Sequence, residues 1–313
     1  MKNKIIILIT VLLLTGCTKQ LKDEENKIVQ HPVTGQNLVE NIICRPEDEE
    51  SIKAYENAGV NLEEIPKCNE FTPFNTKYEG IWTNVFVKPL AWLIVRIGII
   101  VKDYGIALII ITLLIRLALY PFTNKTAMQS ENMAKAKPEL DRLEKKYAGR
   151  TDQQAMLEKS QEMMLIYKKY NISPLSSCLF AFIQIPLFIG FYEAMNRLPA
   201  IFEGKFLNII DLGKTTSSAV NDVLGGASAV NLLYVILPLL VVLVTHYSFK
   251  LNKTASIGGE QDKMMQLMPV YMVGIIGFSS LFISSAICIY WITNSSFTII
   301  QNLIVKRSSQ NAN

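Results

Sequence analysis

The chain has 313 residues, half of them hydrophobic and 19% charged, with a formal net charge of +4. That composition is too apolar for an ordinary soluble domain, and its long apolar runs point to a membrane protein. So small a net charge gives no ground for direct DNA binding; how the charges are distributed says more.

The first sixteen residues read as a targeting segment. Lys2 and Lys4 form a basic start, Ile5 to Leu14 a short apolar run, and Leu14-Thr15-Gly16-Cys17 follows. An apolar run this short suits a signal peptide better than a spanning helix. The tetrapeptide resembles the lipobox of bacterial lipoproteins, which implies cleavage before Cys17, acylation (palmitate-type) of that cysteine and an anchored N-terminus outside the cell. The alternative is an uncleaved anchor with an incidental cysteine.

Residues 17–79 form a polar, acidic segment, in which thirteen Asp and Glu outnumber seven Lys and Arg. This predicts an exported surface segment or tether, with a short helix around Glu49 to Asn57. Cys44 and Cys68 either pair in an oxidising exterior or stay as two thiols. Cys178 and Cys288 lie in apolar runs, where packing is the simplest role.

From Ile81 to Val101 the chain is apolar but carries Lys88, Pro89 and Arg96, with Trp82 and Trp92 among them. This reads as an amphipathic helix on the outer face and not a span, with a buried connection into the next helix as the alternative. Tyr104 to Phe122, Ile172 to Tyr192 and Ala229 to Phe249 are each long enough to cross a bilayer. Met264 to Val305 suits two crossings with a turn near Ser284-Ser285. The predicted fold class is therefore an all-α membrane protein with five transmembrane helices. An outer N-terminus places 123–171, 250–263 and the short tail 306–313 in the cytoplasm. Those segments hold fifteen Lys and Arg against three in the outer loop 193–228, as the positive-inside rule requires.

The inner segment 123–171 is too long and too patterned for a plain connection. Leu140, Leu143 and Tyr147 share a helical face, as do Met156, Ser160, Met163 and Tyr167. Gly149 suits a helix end, and Thr151 or Asp152 a helix start. The pattern predicts a cytoplasmic helical hairpin, kinked or restarted near Pro138.

Arg116 interrupts the apolar run Leu108 to Pro121, roughly 18 Å along the helix from Tyr104. A charge at the bilayer centre costs about 2.5–3.5 kcal/mol on insertion scales, and arginine cannot shed its proton. The predicted spans contain no acid to pair with it. Snorkelling to the cytoplasmic face is one outcome. The other is a hydrated cavity, with Thr112, Gln184, Tyr290, Trp291 and Asn294 as candidate lining residues; these polar groups could equally join helices as structural glue.

The segments IRLALYPF, YNISPLSSCLFAFIQIPLFIGFYEAM, MMQLMP and YWITN, in this order, resemble the YidC insertases, relatives of the mitochondrial Oxa and chloroplast Alb proteins. The resemblance covers about residues 80 to 305, and the lipoprotein start resembles Gram-positive members. It implies a plasma-membrane insertase and chaperone with no cofactor and no metal. Nascent membrane proteins and membrane lipid are its implied partners, together with the Sec translocon and the ribosome. It also implies a positive inner-leaflet groove bearing Arg116. Three features depart from the family: the 18–79 segment, the turn Phe282 to Ala286, and the short tail. No Walker, HExxH or GxSxG motif occurs, so no enzymatic role is expected. A transporter or channel is the alternative, weakened by the odd span count and the lack of an intramembrane acid. A lipid-modifying enzyme is disfavoured because no nucleophile–base pair is evident; His246 reads as an interface residue.

Overall fold

The computed structural model describes residues 18–150, 152–173, 176–252 and 260–311, and of 176–183 and 260–266 the backbone alone. The expected signal peptide, Cys17 and Lys253 lie outside the described residues, as do the side chains of Cys178 and Lys263. Two compact units divide the chain. The first comprises Met1–Leu114, Ile185–Val241 and Gly277–Thr293; the second comprises Ile115–Gln184, Val242–Ile276 and Asn294–Asn313.

In the first unit, residues 18–79 are folded where a surface segment or tether was expected. Leu21, Leu38, Val39, Ile42, Tyr55 and Leu62 form a buried core. Burying one such side chain contributes about 1.5–3 kcal/mol. The acidic average hides these residues, because they recur without a helical or strand period. The backbone ladders locally, with Leu21 N donating to Leu38 O at 2.9 Å. α1, Glu49–Asn57, begins where Asp48 accepts from Ser51 N at 2.8 Å, and Glu49 and Glu50 complement the positive end of its dipole. Cys44 and Cys68 are disulfide-bonded, which resolves the alternative the sequence left open.

This module is hydrogen-bonded to chain 154 to 160 residues downstream. Ile43 N donates to Arg197 O at 2.8 Å, and Gln36 Nε2 donates to Asn196 Oδ1 at 3.2 Å. Glu47 N donates to Glu203 Oε1 at 3.0 Å. Burial, reinforced by the hydrogen bond to Asp48, pushes the Glu203 carboxyl up to about 7. Burial also acts to raise Asp48, but hydrogen bonds from Ser51 outweigh it and hold that carboxyl below its ordinary range. Glu79 gathers two buried cations: Arg197 Nη2 lies 2.5 Å and Lys88 Nζ 3.5 Å from its oxygens.

A π-helical turn, Thr83–Val87, leads into α2, Lys88–Val101. By length and composition alone the stretch Thr83–Val101 could cross a membrane, whereas Lys88 and Arg96 had suggested a surface helix. Lys88 is fully buried and donates to Lys77 O and to Asn84 Oδ1, so its charge is no mark of an exposed face. Ala229–Leu251, which includes α9, Leu233–Leu251, meets the same criteria. α3, Tyr104–Ala118, and α4, Tyr120–Lys146, qualify together but bend by 73° at Leu119. Two or three candidate spans are thus present among the described residues, against five expected. Pro121 lies in the first turn of α4, where its missing N–H costs no helical bond, so the break falls before the predicted end at Phe122.

The remaining elements of this unit belong to the loop after α6, Ser176–Asn196, a helix that starts later than predicted and takes in Glu193. α7, Pro199–Phe202, precedes a two-residue hairpin of β1, Lys205–Phe206, and β2, Ile210–Asp211, in which Lys205 pairs with Asp211. Phe206 packs so closely on Gly105 that a Cβ there would lie 2.5 Å from its ring. α8, Thr216–Leu224, follows. The turn between α10, Glu260–Ser279, and α11, Ser285–Asn311, is tied down by Ser285 Oγ donating to Lys214 O at 2.7 Å.

In the second unit α4 packs on α5, Gln153–Lys169. α4 runs through Pro138 without a break, so the helix does not restart there. Gly149 adopts φ +82°, and Asp152 caps α5 by accepting from Ala155 N at 2.8 Å. Met133, Ala136, Leu140 and Leu143 of α4 are buried, with Ala155 and Tyr167 of α5. Met156, placed on the buried face by periodicity, is 63% exposed; the face turns instead through Ala155, Met163 and Ile166. Lys146 and Lys169 close the pair ionically on Glu162 and Glu139, at 2.6 and 2.5 Å. Gln301 Nε2 donates to Thr123 Oγ1 at 2.9 Å, joining α11 to α4.

Candidate functional site

α3 is apolar on every side, so its buried stripe is set by packing. Leu108, Ile111, Thr112 and Arg116 face the protein, each no more than 1% exposed, at the i, i+3, i+4 and i+8 positions of one helical face. Leu113, Leu114 and Leu117 point away and are exposed. The arginine therefore lies on the inward stripe and not on the side where acyl chains would lie. Snorkelling into solvent is not the arrangement seen.

Within the second unit, three helices meet at the guanidinium. Arg116 Nε donates to Asn294 Oδ1 of α11 at 2.6 Å, and Nη2 donates to Gln184 Oε1 of α6 at 2.7 Å. Both acceptors are neutral amides, so these bonds satisfy N–H donors without cancelling the charge. Hydrogen bonds to a charged group contribute about 1.5–3 kcal/mol each, and an unmet buried donor costs a similar amount. At 1% exposure Arg116 is buried.

The other candidate residues are placed in the first unit. Thr112 Oγ1 donates to Leu108 O of its own helix at 2.7 Å, as a buried helical threonine commonly does. Tyr290 is fully buried and stacks on Phe191, with ring centroids 4.3 Å apart. Trp291 meets Phe188 edge-on at 5.1 Å. Tyr290 and Trp291 thus belong to an aromatic cluster with two α6 residues that polarity-based reasoning passed over. The visible signal was Phe188 and Phe191 three residues apart on one helix. Among the described residues, no group of three or more potential metal ligands occurs.

A family model described as "60Kd inner membrane protein" matches residues 97–312. A membrane protein insertase YidC of Oceanobacillus iheyensis is 31% identical over 246 residues, covering 77% of this chain and 90% of that protein. The chain belongs to the YidC insertase family. YidC 2 of Bacillus anthracis is also 31% identical, with 76% of this chain and 87% of the relative covered. YidC of Alkalihalophilus pseudofirmus is 32% identical, with 73% and 83% covered. A solved structure of an active YidC insertase with its first transmembrane domain resolved is 20% identical, with a TM-score of 0.47. That alignment covers 82% of this chain, which spans about half the length of the solved one. The family match includes Arg116, Gln184 and Asn294 and leaves out residues 18–79.

Proposed function

We propose that this chain is a membrane protein insertase and chaperone, working alone or beside the Sec translocon. In this reading five helices span the plasma membrane, Cys17 is lipidated outside, and α4 and α5 project as a hairpin into the cytoplasm, where a ribosome could dock. The single observation that carries the reading is Arg116, a permanently charged group buried on an apolar helix, with Nε and Nη2 donating to the side-chain oxygens of Asn294 and Gln184. A charge so placed is costly for a purely structural protein.

The same charge suits a groove that receives polar substrate tails. Acidic side chains of a nascent protein compete with Gln184 and Asn294 for the guanidinium N–H groups. The tail then avoids part of the cost of apolar passage, about 2.5–3.5 kcal/mol per charge at the bilayer centre. Burial of the substrate's own apolar helix in lipid drives the process, so no nucleotide hydrolysis is needed.

The test is purified protein in liposomes offered a small single-span substrate with an acidic tail, scored by protease protection of that tail. Adding the protein should raise protection. Arg116→Ala should lower the rate about ten- to a hundredfold, the equivalent of one charge-assisted contact, and Arg116→Lys should retain more. Protection that is the same with and without the protein overturns the proposal.

A further inference from the structure

Below the Arg116 trio in sequence, the second unit holds a cleft of about 360 Å³ between α4 and the C-terminal end of α11. That volume falls in the range of about 300–1,000 Å³ usual for small-molecule sites. Its wall divides by chemistry. Asn124 and Glu131 present acceptors, Lys135, Ser308 and Ser309 present donors, and Ile304 gives an apolar flank that is 52% exposed.

Two features of this cleft are unusual. Asn124 Oδ1 is buried yet accepts no hydrogen bond among the described residues. A buried acceptor without a partner is costly, so a donor from outside the chain would be favoured there. Glu131 and Lys135 stand at i and i+4, the better orientation for a helical ion pair, but neither has an ion partner among the described residues. On the same helix Lys137 and Asp141 do pair, at 3.0 Å. Among the described residues, then, both charges are left for a ligand that carries two opposite charges close together.

We propose that this cleft binds the phosphoethanolamine headgroup of a membrane phospholipid. The primary ammonium supplies N–H donors to the Glu131 carboxylate and to Asn124 Oδ1. The phosphate accepts from Lys135 Nζ and from the Ser308 and Ser309 hydroxyls. The exposed flank at Ile304 carries the start of an acyl chain, which is why a lipid is favoured over a soluble phosphoamine. A choline headgroup has no N–H for Asn124. A glycerol headgroup has no cation for Glu131 and would place its phosphate near an unpaired carboxylate.

The experiment is native mass spectrometry of the full chain in mild detergent, titrated with phosphatidylethanolamine, phosphatidylcholine or phosphatidylglycerol of identical acyl chains. Ethanolamine lipid should bind about tenfold more tightly than the other two, as expected for one charge-assisted contact. Glu131→Gln should abolish that preference, and Ser308→Ala with Ser309→Ala, at sites remote from the helix core, should weaken ethanolamine-lipid binding. Circular dichroism checks that each variant keeps its helices. Equal binding of all three lipids, or an unchanged preference in Glu131→Gln, overturns the proposal. Soluble phosphoethanolamine competing as well as the lipid overturns the lipid assignment.

Discussion

Removing Asn294's acceptor tests the central trio most directly. Asn294→Leu keeps a similar volume but leaves Arg116 Nε, now 2.6 Å from Oδ1, facing an apolar side chain. The lost bond is charge-assisted and the donor is buried, so the variant should be destabilised by about 1.5–3 kcal/mol. Arg116→Met removes the charge and leaves the oxygens of Asn294 and Gln184 seeking other donors. In the double variant Arg116→Met/Asn294→Leu, neither partner remains to be orphaned at that bond. Its cost should fall short of the sum of the singles by about 1.5–3 kcal/mol, well beyond the roughly 0.5 kcal/mol scatter of independent sites. Unfolding by SDS in mixed micelles, followed by circular dichroism, provides the four free energies. Additive costs would refute the claim that these groups form one hydrogen-bonded unit, and with it the assignment of Asn294 to the site.

Two further predictions concern the module formed by residues 18–79. Cys44→Ser with Cys68→Ser opens a bridge between residues 24 apart, which should cost the module about 3 kcal/mol and speed tryptic cleavage within 18–79; unchanged cleavage would show that the hydrophobic core alone suffices. The second uses pH. Glu203 is raised to about 7 from an ordinary 4.5, so the folded form keeps a proton that the unfolded chain gives up. Its contribution is complete below about 4.5 and fades as pH climbs through about 7. Asp48, shifted downward from 3.8, weakens the module only as the medium becomes more acidic than that. Protection of the Glu47 amide from hydrogen exchange, relative to the intrinsic rate, should therefore fall between about pH 4.5 and about 7, the window set by Glu203. Glu203→Gln should flatten that trend, and an equal fall in the variant would remove Glu203 from the account.

What the sequence determined by itself was local. The helix Glu49–Asn57, the cap at Asp152 and the turn before Ser285 follow from caps, breakers and periodicity acting over a few residues. Arg116 stood out because a permanent charge in an apolar run is legible without any fold. The tertiary structure decided the partners. Arg116 bonds to residues 68 and 178 positions away, and no local pattern distinguishes Gln184 and Asn294 from the other polar groups in the spans. Lys88 reads as a surface marker in the sequence, but Glu79, the Lys77 carbonyl and the Asn84 side-chain oxygen surround it. The acidic 18–79 segment read as a tether because averaged composition dilutes six core residues and a disulfide, which gain their stabilising effect only when chain closure brings them together.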